Sequence, residues 1–290
     1  MIRLTNDYLT VLINPFGAEL TSVKSSDTEY IWTADKQYWG RHAPILFPIV
    51  GRLKDNQYQY QGETYQMTQH GFARDNEFQV DSQTDDQVTL SLTQNSETLA
   101  KYPFKFKLTV KYELRDHELS VSMTVTNIDE KEMIFQLGAH PGFNVPFNPF
   151  EGGFDDYHIR FAPQKDYTRV PLKPPYSDPD DTSTVDLRKP VELNHELFNQ
   201  DAQVFELDGE QVTLLLGNNL SETGVSVHID NAKYVGVWSP YPKESPFVCI
   251  EPWWGLADTI NADGNLEHKF ATNRLAPQDK FTGKYEVTFF

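Results

Sequence analysis

Phe104-Lys105-Phe106-Lys107-Leu108-Thr109-Val110-Lys111-Tyr112-Glu113-Leu114 alternates without a fault: every even position is apolar and every odd one polar. Successive side chains of a strand point to opposite faces, so a period of two describes one buried face and one wet face. Arg115-Asp116-His117-Glu118 has turn chemistry. Beyond it Leu119, Val121, Met123 and Val125 alternate with Ser120, Ser122, Thr124 and Thr126. The two runs predict a hairpin of long antiparallel strands.

Further strand candidates lie on both sides. They are Leu9–Asn14, Gln57–Tyr60, Thr64–Met67, Glu77–Gln83, Gln87–Gln94, Met133–Ala139, Val204–Leu207, Val212–Leu216, Val225–Ile229, Tyr234–Trp238, Phe247–Glu251 and Lys284–Phe289. Gln61-Gly62-Glu63 and Asp208-Gly209 are turn signals between them. Helical periodicity is scarce, with a short turn at most in Ser96–Tyr102 or Asp258–Asn261. So many short strands predict an all-β fold, a large antiparallel β-sandwich. Nine of the 18 prolines fall between Pro141 and Pro190, which argues against regular sheet there. That region is too rich in Phe and Tyr for a disordered linker and reads as an ordered, irregular excursion. Residues 1–290 are therefore expected to form one domain.

The 25 basic and 42 acidic residues give a net charge of −17. That balance disfavours nucleic acid and anionic membranes as partners. Cys249 stands alone, so an intramolecular disulfide is impossible and thiolate-rich zinc sites are excluded. No signal peptide is seen at Met1–Asp7, and no apolar run approaches about 20 residues. A cytoplasmic protein is expected, with a homodimer left open.

Four stretches carry polar residues at strand ends or loop starts. In Arg41–Leu53, Arg52 follows a glycine after an apolar run and is suited to fork-like hydrogen bonds. In Gln69–Asp75, His70 precedes a glycine and Arg74 follows four residues on, a pairing that can line a polar pocket. In Met133–Phe143, one strand would point Ile134, Gln136, Gly138 and His140 to one face. Gly138 would then leave room for a ligand beside His140, an imidazole placed to exchange protons near neutral pH. In Phe247–Gly255, an apolar strand delivers Glu251, then Pro252, Trp253 and Trp254. An acid inside an apolar run needs a reason, and desolvation there raises its pKa toward proton-transfer work. Aromatic rings such as Trp253 stack on the C–H faces of sugars. Asp201 is a fifth, weaker candidate. For each residue a plainer reading competes: a surface ion pair for Arg52, a turn histidine for His70 and a carbonyl-bonded histidine for His140. Glu251 could be paired with Arg52, and Asp201 could be a turn residue. Phosphate loops, nucleotide fingerprints and zinc-protease helices are missing.

Arg41–Leu53, His70–Arg74, Ala139–Phe143 and Glu251–Asp258, in that order, resemble the aldose 1-epimerase (galactose mutarotase) superfamily, and most its mutarotase-related bacterial branch. The resemblance spans the chain from Asn14-Pro15-Phe16-Gly17-Ala18-Glu19-Leu20 onward. It implies the same β-sandwich. It also implies His140 as acid, Glu251 as base, and Arg52, His70 and Asp201 as sugar-binding residues. Neither cofactor nor metal is implied. Gly51-Arg52 stands where galactose mutarotases have Asn-Arg, and His70–Arg74 is similar to the hexose-6-phosphate epimerase branch. There Arg74, Arg41 or Lys54 would meet a phosphate.

The activity expected is interconversion of α and β anomers of a free hexose. Glu251 would start ionised and His140 protonated, giving a bell-shaped pH–rate curve. The rivals are a hexose-6-phosphate 1-epimerase, a non-catalytic carbohydrate-binding protein keeping Trp253 and Trp254, and a glycosidase with Asp201 and Glu251 about 5–9 Å apart.

Overall fold

A computed structural model describes all residues, 1–290. Phe106–Arg115 and Glu118–Asn127 form the expected hairpin, in register from Phe106 opposite Asn127 to Arg115 opposite Glu118. It lies inside a nine-stranded antiparallel sheet. The strand order is Val191–Glu192, Tyr157–Ala162, Val212–Asn218, Val225–Ile229, Lys280–Phe289, Glu118–Asn127, Phe106–Arg115, Gln87–Thr93 and Gln79–Gln83. A second, eight-stranded sheet includes Asp166–Val170, Gln203–Glu206, Tyr234–Trp238, Phe247–Trp254 and Leu137–Ala139 in neighbouring positions. Ile2–Thr5, Thr10–Asn14, Glu19–Ser25 and Thr28–Glu29 make a separate four-stranded sheet. The one α-helix, Ser96–Lys101, has six residues and a capping box on Asn95.

The two large sheets face each other across one cluster of 70 buried apolar residues. Phe161 of the first sheet meets Phe205 of the second edge-on, at 5.2 Å between centroids. Burying alternating faces in this way is what holds a sandwich together. The fold is an all-β antiparallel sandwich.

Two expectations about strands need correction. The proline-rich region does contain regular sheet. Tyr157–Ala162 pairs along its length with Val212–Asn218, and Asp166–Val170 joins the second sheet. The prolines sit at the ends of these strands, as Pro163 and Pro171, where no ladder N–H is lost. Met133–Ala139 is not one strand either. Met133–Phe135 pairs with Asn273–Leu275, whereas Leu137–Ala139 pairs with Phe247–Trp254 and Ile45–Leu46.

The break falls at Gln136, which is fully buried. Its Oε1 accepts from the Val50 N–H (3.0 Å), and its Nε2 donates to the carbonyls of Leu256 (2.9 Å) and Phe270 (3.0 Å). A buried amide must satisfy such groups, and here it does so by stitching three loops together. Two of them, through Val50 and Leu256, line the cavity described next.

Candidate active site

The central strand Phe247–Trp254 is buried on both faces. Its period of two still sorts the side chains. Val248, Ile250 and Trp254 enter the sandwich core, while Cys249, Glu251 and Trp253 belong to the opposite face. On that outer face lies a cavity of about 580 Å³. Its lining includes all seven residues singled out from the sequence: Arg52, His70, Arg74, His140, Asp201, Glu251 and Trp253.

His140 and Glu251 lie at the base of this arrangement, 7 % and 1 % exposed. Leu137–Ala139 and Gly142–Asn144 both pair with Phe247–Trp254 in one continuous register, so His140 stands opposite Glu251. Their Nε2 and Oε2 atoms are 3.1 Å apart. Trp39 stacks on the His140 ring at 4.7 Å, and Trp238 meets it edge-on at 5.5 Å. Burial holds the imidazole down at about 3, with the nearby Arg74 charge acting the same way. Burial and the Asp201 charge push Glu251 well above the usual carboxylate range. Desolvation thus favours the neutral carboxyl and the neutral imidazole. This corrects the expected starting state of ionised Glu251 and protonated His140. Both states carry one proton on the pair and differ only in which atom holds it.

The His70–Ala73 turn folds onto Phe47. The N–H groups of Phe72 and Ala73 donate to the Phe47 carbonyl (3.0 and 3.2 Å), and the Phe47 N–H donates to the His70 carbonyl (3.2 Å). Gly71 has φ +72°, and a Cβ there would lie 2.2 Å from the Phe47 oxygen, so only glycine fits. His70 Nδ1 accepts from the Gly51 N–H (3.1 Å), which leaves Nε2 to carry the proton and donate. Burial keeps this ring neutral as well, its pKa well below the ordinary value.

Arg74 Nη2 donates to the Gln69 carbonyl (2.6 Å), and burial and Arg41 lower its pKa to about 10. It is charged at neutral pH. Arg52 is exposed at the rim and makes no ion pair. Asp201 has φ +73° and caps its own turn through the Ala202 N–H (2.9 Å). Burial raises its pKa, offset by that hydrogen bond, Trp238 and Arg52.

Trp253 lies over two glycines. A Cβ at Gly138 would be 3.0 Å from its Cδ1, and one at Gly236 would be 2.7 Å from its Cη2. Gly138 therefore makes room for Trp253, not directly for a ligand as its place beside His140 suggested. Trp254 points the other way, and its Nε1 donates to Asn231 Oδ1 (2.8 Å). Arg41 is tied to Asp75 (2.7 Å), and Lys54 Nζ donates to the carbonyls of Ile260 and Ala262. Neither Arg41 nor Lys54 lines the cavity, unlike Arg74. Glu251 is not paired with Arg52, and its close partner is His140.

Sequence reading missed Trp39 and the short hairpin Leu172–Lys173 and Tyr176–Ser177, whose Leu172, Pro174 and Pro175 form an apolar wall. Neither has a strand pattern long enough to read. Five buried side-chain polar atoms in the whole protein lack a protein partner, and four belong to this cavity's residues: Arg74 Nε, His140 Nδ1, Glu251 Oε2 and Trp253 Nε1. Such atoms are rare and costly, and they concentrate where a polar ligand would meet them.

Known proteins share this all-β architecture. A sequence model of the aldose 1-epimerase family matches residues 1–288. The chain belongs to the aldose 1-epimerase family. It is 34% identical to the LacX protein of Lactococcus lactis subsp. lactis, over 99% of this chain and 98% of that one. It superposes on a galactose mutarotase related enzyme from Lactobacillus acidophilus with a TM-score of 0.98 at 40% identity, covering 100% and 97% of the two chains. A galactose mutarotase-like protein from Lactobacillus casei gives 0.91 at 34% identity, with both chains covered at 100%.

Proposed function

We propose that the protein is an aldose 1-epimerase that interconverts the α and β anomers of a free hexose. The observation that carries this reading is the buried His140–Glu251 contact of 3.1 Å, set among four of the five unpartnered buried polar atoms.

Anomer exchange needs one group to accept the proton of the anomeric hydroxyl and another to deliver a proton to the ring oxygen. The C1–O5 bond breaks, its electron pair goes to O5, and C1=O1 forms. The aldehyde turns about C1–C2, and the same two groups reverse their work on closure. A pair holding one proton meets this balance with nothing left over. The form with that proton on His140, the acid, leaves Glu251 as the base, the two groups standing 3.1 Å apart. The polar hydroxyls of a bound sugar, held by Arg52 and Asp201, supply the solvation that the ionised form of the pair needs. His70 Nε2–H and Arg74 donate to sugar oxygens, and Trp253 offers an apolar face to ring C–H groups.

The test is polarimetry on freshly dissolved α-glucose and α-galactose. Wild type accelerates the change in rotation. His140→Ala and Glu251→Gln each lose about 10²–10⁴-fold, the usual worth of one positioned acid or base. A Glu251→Gln protein with full activity would sink the assignment.

A hexose 6-phosphate is the second reading. It is favoured by Arg52, which lines the cavity with Arg74 and has no ion-pair partner. A coupled assay with glucose 6-phosphate decides between them: Arg52→Gln raises KM for the phosphate ester more than for the free sugar.

A further inference from the structure

We infer that Asp258, held by the buried Lys269, is a positioning residue that joins three walls of the cavity and so sets sugar binding; this rests on the cavity being a sugar site, as proposed above. Asp258 closes the Glu251–Asp258 stretch, yet it does not line the cavity. It is 3 % exposed, and each of its polar groups has a partner.

Its N–H donates to the carbonyl of Arg52 (2.9 Å), and its Oδ2 accepts from the Lys54 N–H (2.9 Å). These bonds fix the segment that carries Arg52. Its carbonyl accepts from the Ser177 N–H (2.9 Å), and the Ile260 N–H returns a bond to Ser177 (3.0 Å). Ser177 is fully buried, and its hydroxyl donates to the neighbouring Ala257 carbonyl (3.0 Å). These bonds fix the hairpin that carries Leu172, Pro174 and Pro175. Lys269 Nζ donates to Asp258 Oδ1 (2.7 Å) and to the Leu256 carbonyl (3.1 Å), which fixes the wall made by Leu256 and Ala257.

A buried ion pair is weak evidence for stability, because removing two charges from water costs about what their attraction returns. Its strength is direction. A carboxylate accepts on both oxygens, whereas an amide at position 258 offers one acceptor and must turn its NH₂ toward either Lys269 or the Lys54 N–H. Neutralising the residue therefore frees at least one wall without touching His140 or Glu251.

The experiment compares Asp258→Asn, Lys269→Met, the double variant and Ser177→Ala in the full chain. Backbone hydrogen exchange reads the clamp with no ligand present. With its side-chain anchor weakened the backbone at 258 loosens, so the amide of Lys54 and, through the carbonyls of 258 and 177, those of Ser177 and Ile260 exchange faster in Asp258→Asn, while core-strand amides such as Val227 and Val287 keep their rates. Polarimetry with α-galactose and α-glucose, and quenching of tryptophan fluorescence by the same sugars, read the consequence. KM and the fluorescence Kd rise about tenfold, a loss of about 1.4 kcal/mol of binding, while kcat changes little. The double variant recovers thermal stability without recovering KM. Ser177→Ala, a mild change that folds where the charge variants do not, raises KM by a smaller factor of about three.

Exchange at those three amides unchanged, or faster only in step with the core, would overturn the clamp. So would a KM restored together with stability in the double variant, or unaltered in Ser177→Ala. Wild type that binds sugar without accelerating rotation overturns the epimerase reading alone, and Kd then carries the test. Wild type that binds no sugar overturns both the sugar site and the role in binding.

Discussion

His140 stands directly across a strand pair from Glu251, with Nε2 3.1 Å from Oε2, although 110 residues of chain separate them. Gly236 is the cross-strand neighbour of Glu251 on its other side, and the Trp253 ring lies over it. Trp39 and Trp238 enclose the imidazole. Rigid strands thus hold an acid and a base in contact within a desolvated wall, where small changes of solvation relocate one proton.

The pH dependence of kcat/KM follows. The competent free enzyme carries one proton on the pair. As pH falls through about 3, a second proton loads His140 and the rate drops. As pH rises past the elevated value of Glu251, the shared proton is lost and the rate drops again. The bell is therefore broad, with its acid limb far below the ordinary imidazole value of about 6.5. Polarimetric kcat/KM with α-galactose, corrected for the spontaneous reaction, measures it. The residual rate of Glu251→Gln no longer shows the limb set by Glu251 and instead falls as His140 loses its own proton. An acid limb near 6.5 in wild type would contradict a neutral His140.

Stability has its own acid limb. The unfolded chain protonates an imidazole below about 6.5, whereas folded His140 resists to about 3 and folded His70 is also held well below 6.5. Over that window the unfolded state binds more protons, so stability falls as pH falls. His140 contributes a slope of about 1.4 kcal/mol per pH unit between roughly pH 4 and 6, and His70 contributes one of the same sign. His70→Asn or His140→Gln removes one such contribution. Urea unfolding at pH 4, 5 and 6 checks the difference between wild type and variant, which cancels the carboxylates they share. Parallel pH profiles would refute it.

Much of this was legible in the chain, and the reasons are physical. Alternation exposed the Phe106–Arg115 and Glu118–Asn127 hairpin because one face is wet. Glu251 stood out because an acid in an apolar run is costly. Parity along Phe247–Trp254 also separates Trp253 from Trp254, a distinction available in the sequence and not drawn from it. Pairings between distant segments were not legible. Nothing local says that Leu137–Ala139 lies against Phe247–Trp254, or that Gln136 leaves the sheet to satisfy Val50 and Leu256. Trp39 and the Leu172–Ser177 hairpin carry no periodicity, because packing over the cavity and not a sheet face holds them in place.

Gln136 tests that last kind of contact. Gln136→Leu keeps the volume but removes one acceptor and both amide N–H donors, leaving the Val50 N–H and the Phe270 carbonyl without that partner, while the Leu256 carbonyl keeps Lys269 Nζ. An unsatisfied buried group costs about 1–3 kcal/mol, so the variant, with two such groups, loses roughly 2 kcal/mol or more. Gln136→Glu accepts from Val50 but cannot, when ionised, donate to the two carbonyls, and it loses more as pH rises. Denaturant midpoints at pH 5 and 8 give both numbers. A loss under 1 kcal/mol for Gln136→Leu would mean that the loops hold without the amide.

Trp253 owes its place to the absence of side chains at Gly138 and Gly236. A methyl at Gly236 would sit 2.7 Å from Cη2 and 2.8 Å from Cζ2 of the indole, closer than real Cβ contacts allow. The strand backbone beneath is paired on both sides, so the ring is the part that gives way. Gly236→Ala therefore tilts Trp253 into the cavity and blocks the face offered to a sugar ring, while Val235 and Val237 stay in the core. Overpacking of this kind costs about 1–3 kcal/mol of stability. Trp253→Ala removes the face without the tilt and relieves the crowding. Sugar KM rises in both single variants. The Gly236→Ala/Trp253→Ala double variant regains the stability lost to overpacking but keeps the raised KM. If Gly236→Ala bound sugar as wild type does while losing stability, Trp253 would be a packing residue that happens to border the cavity, and the sugar would rest elsewhere on the wall.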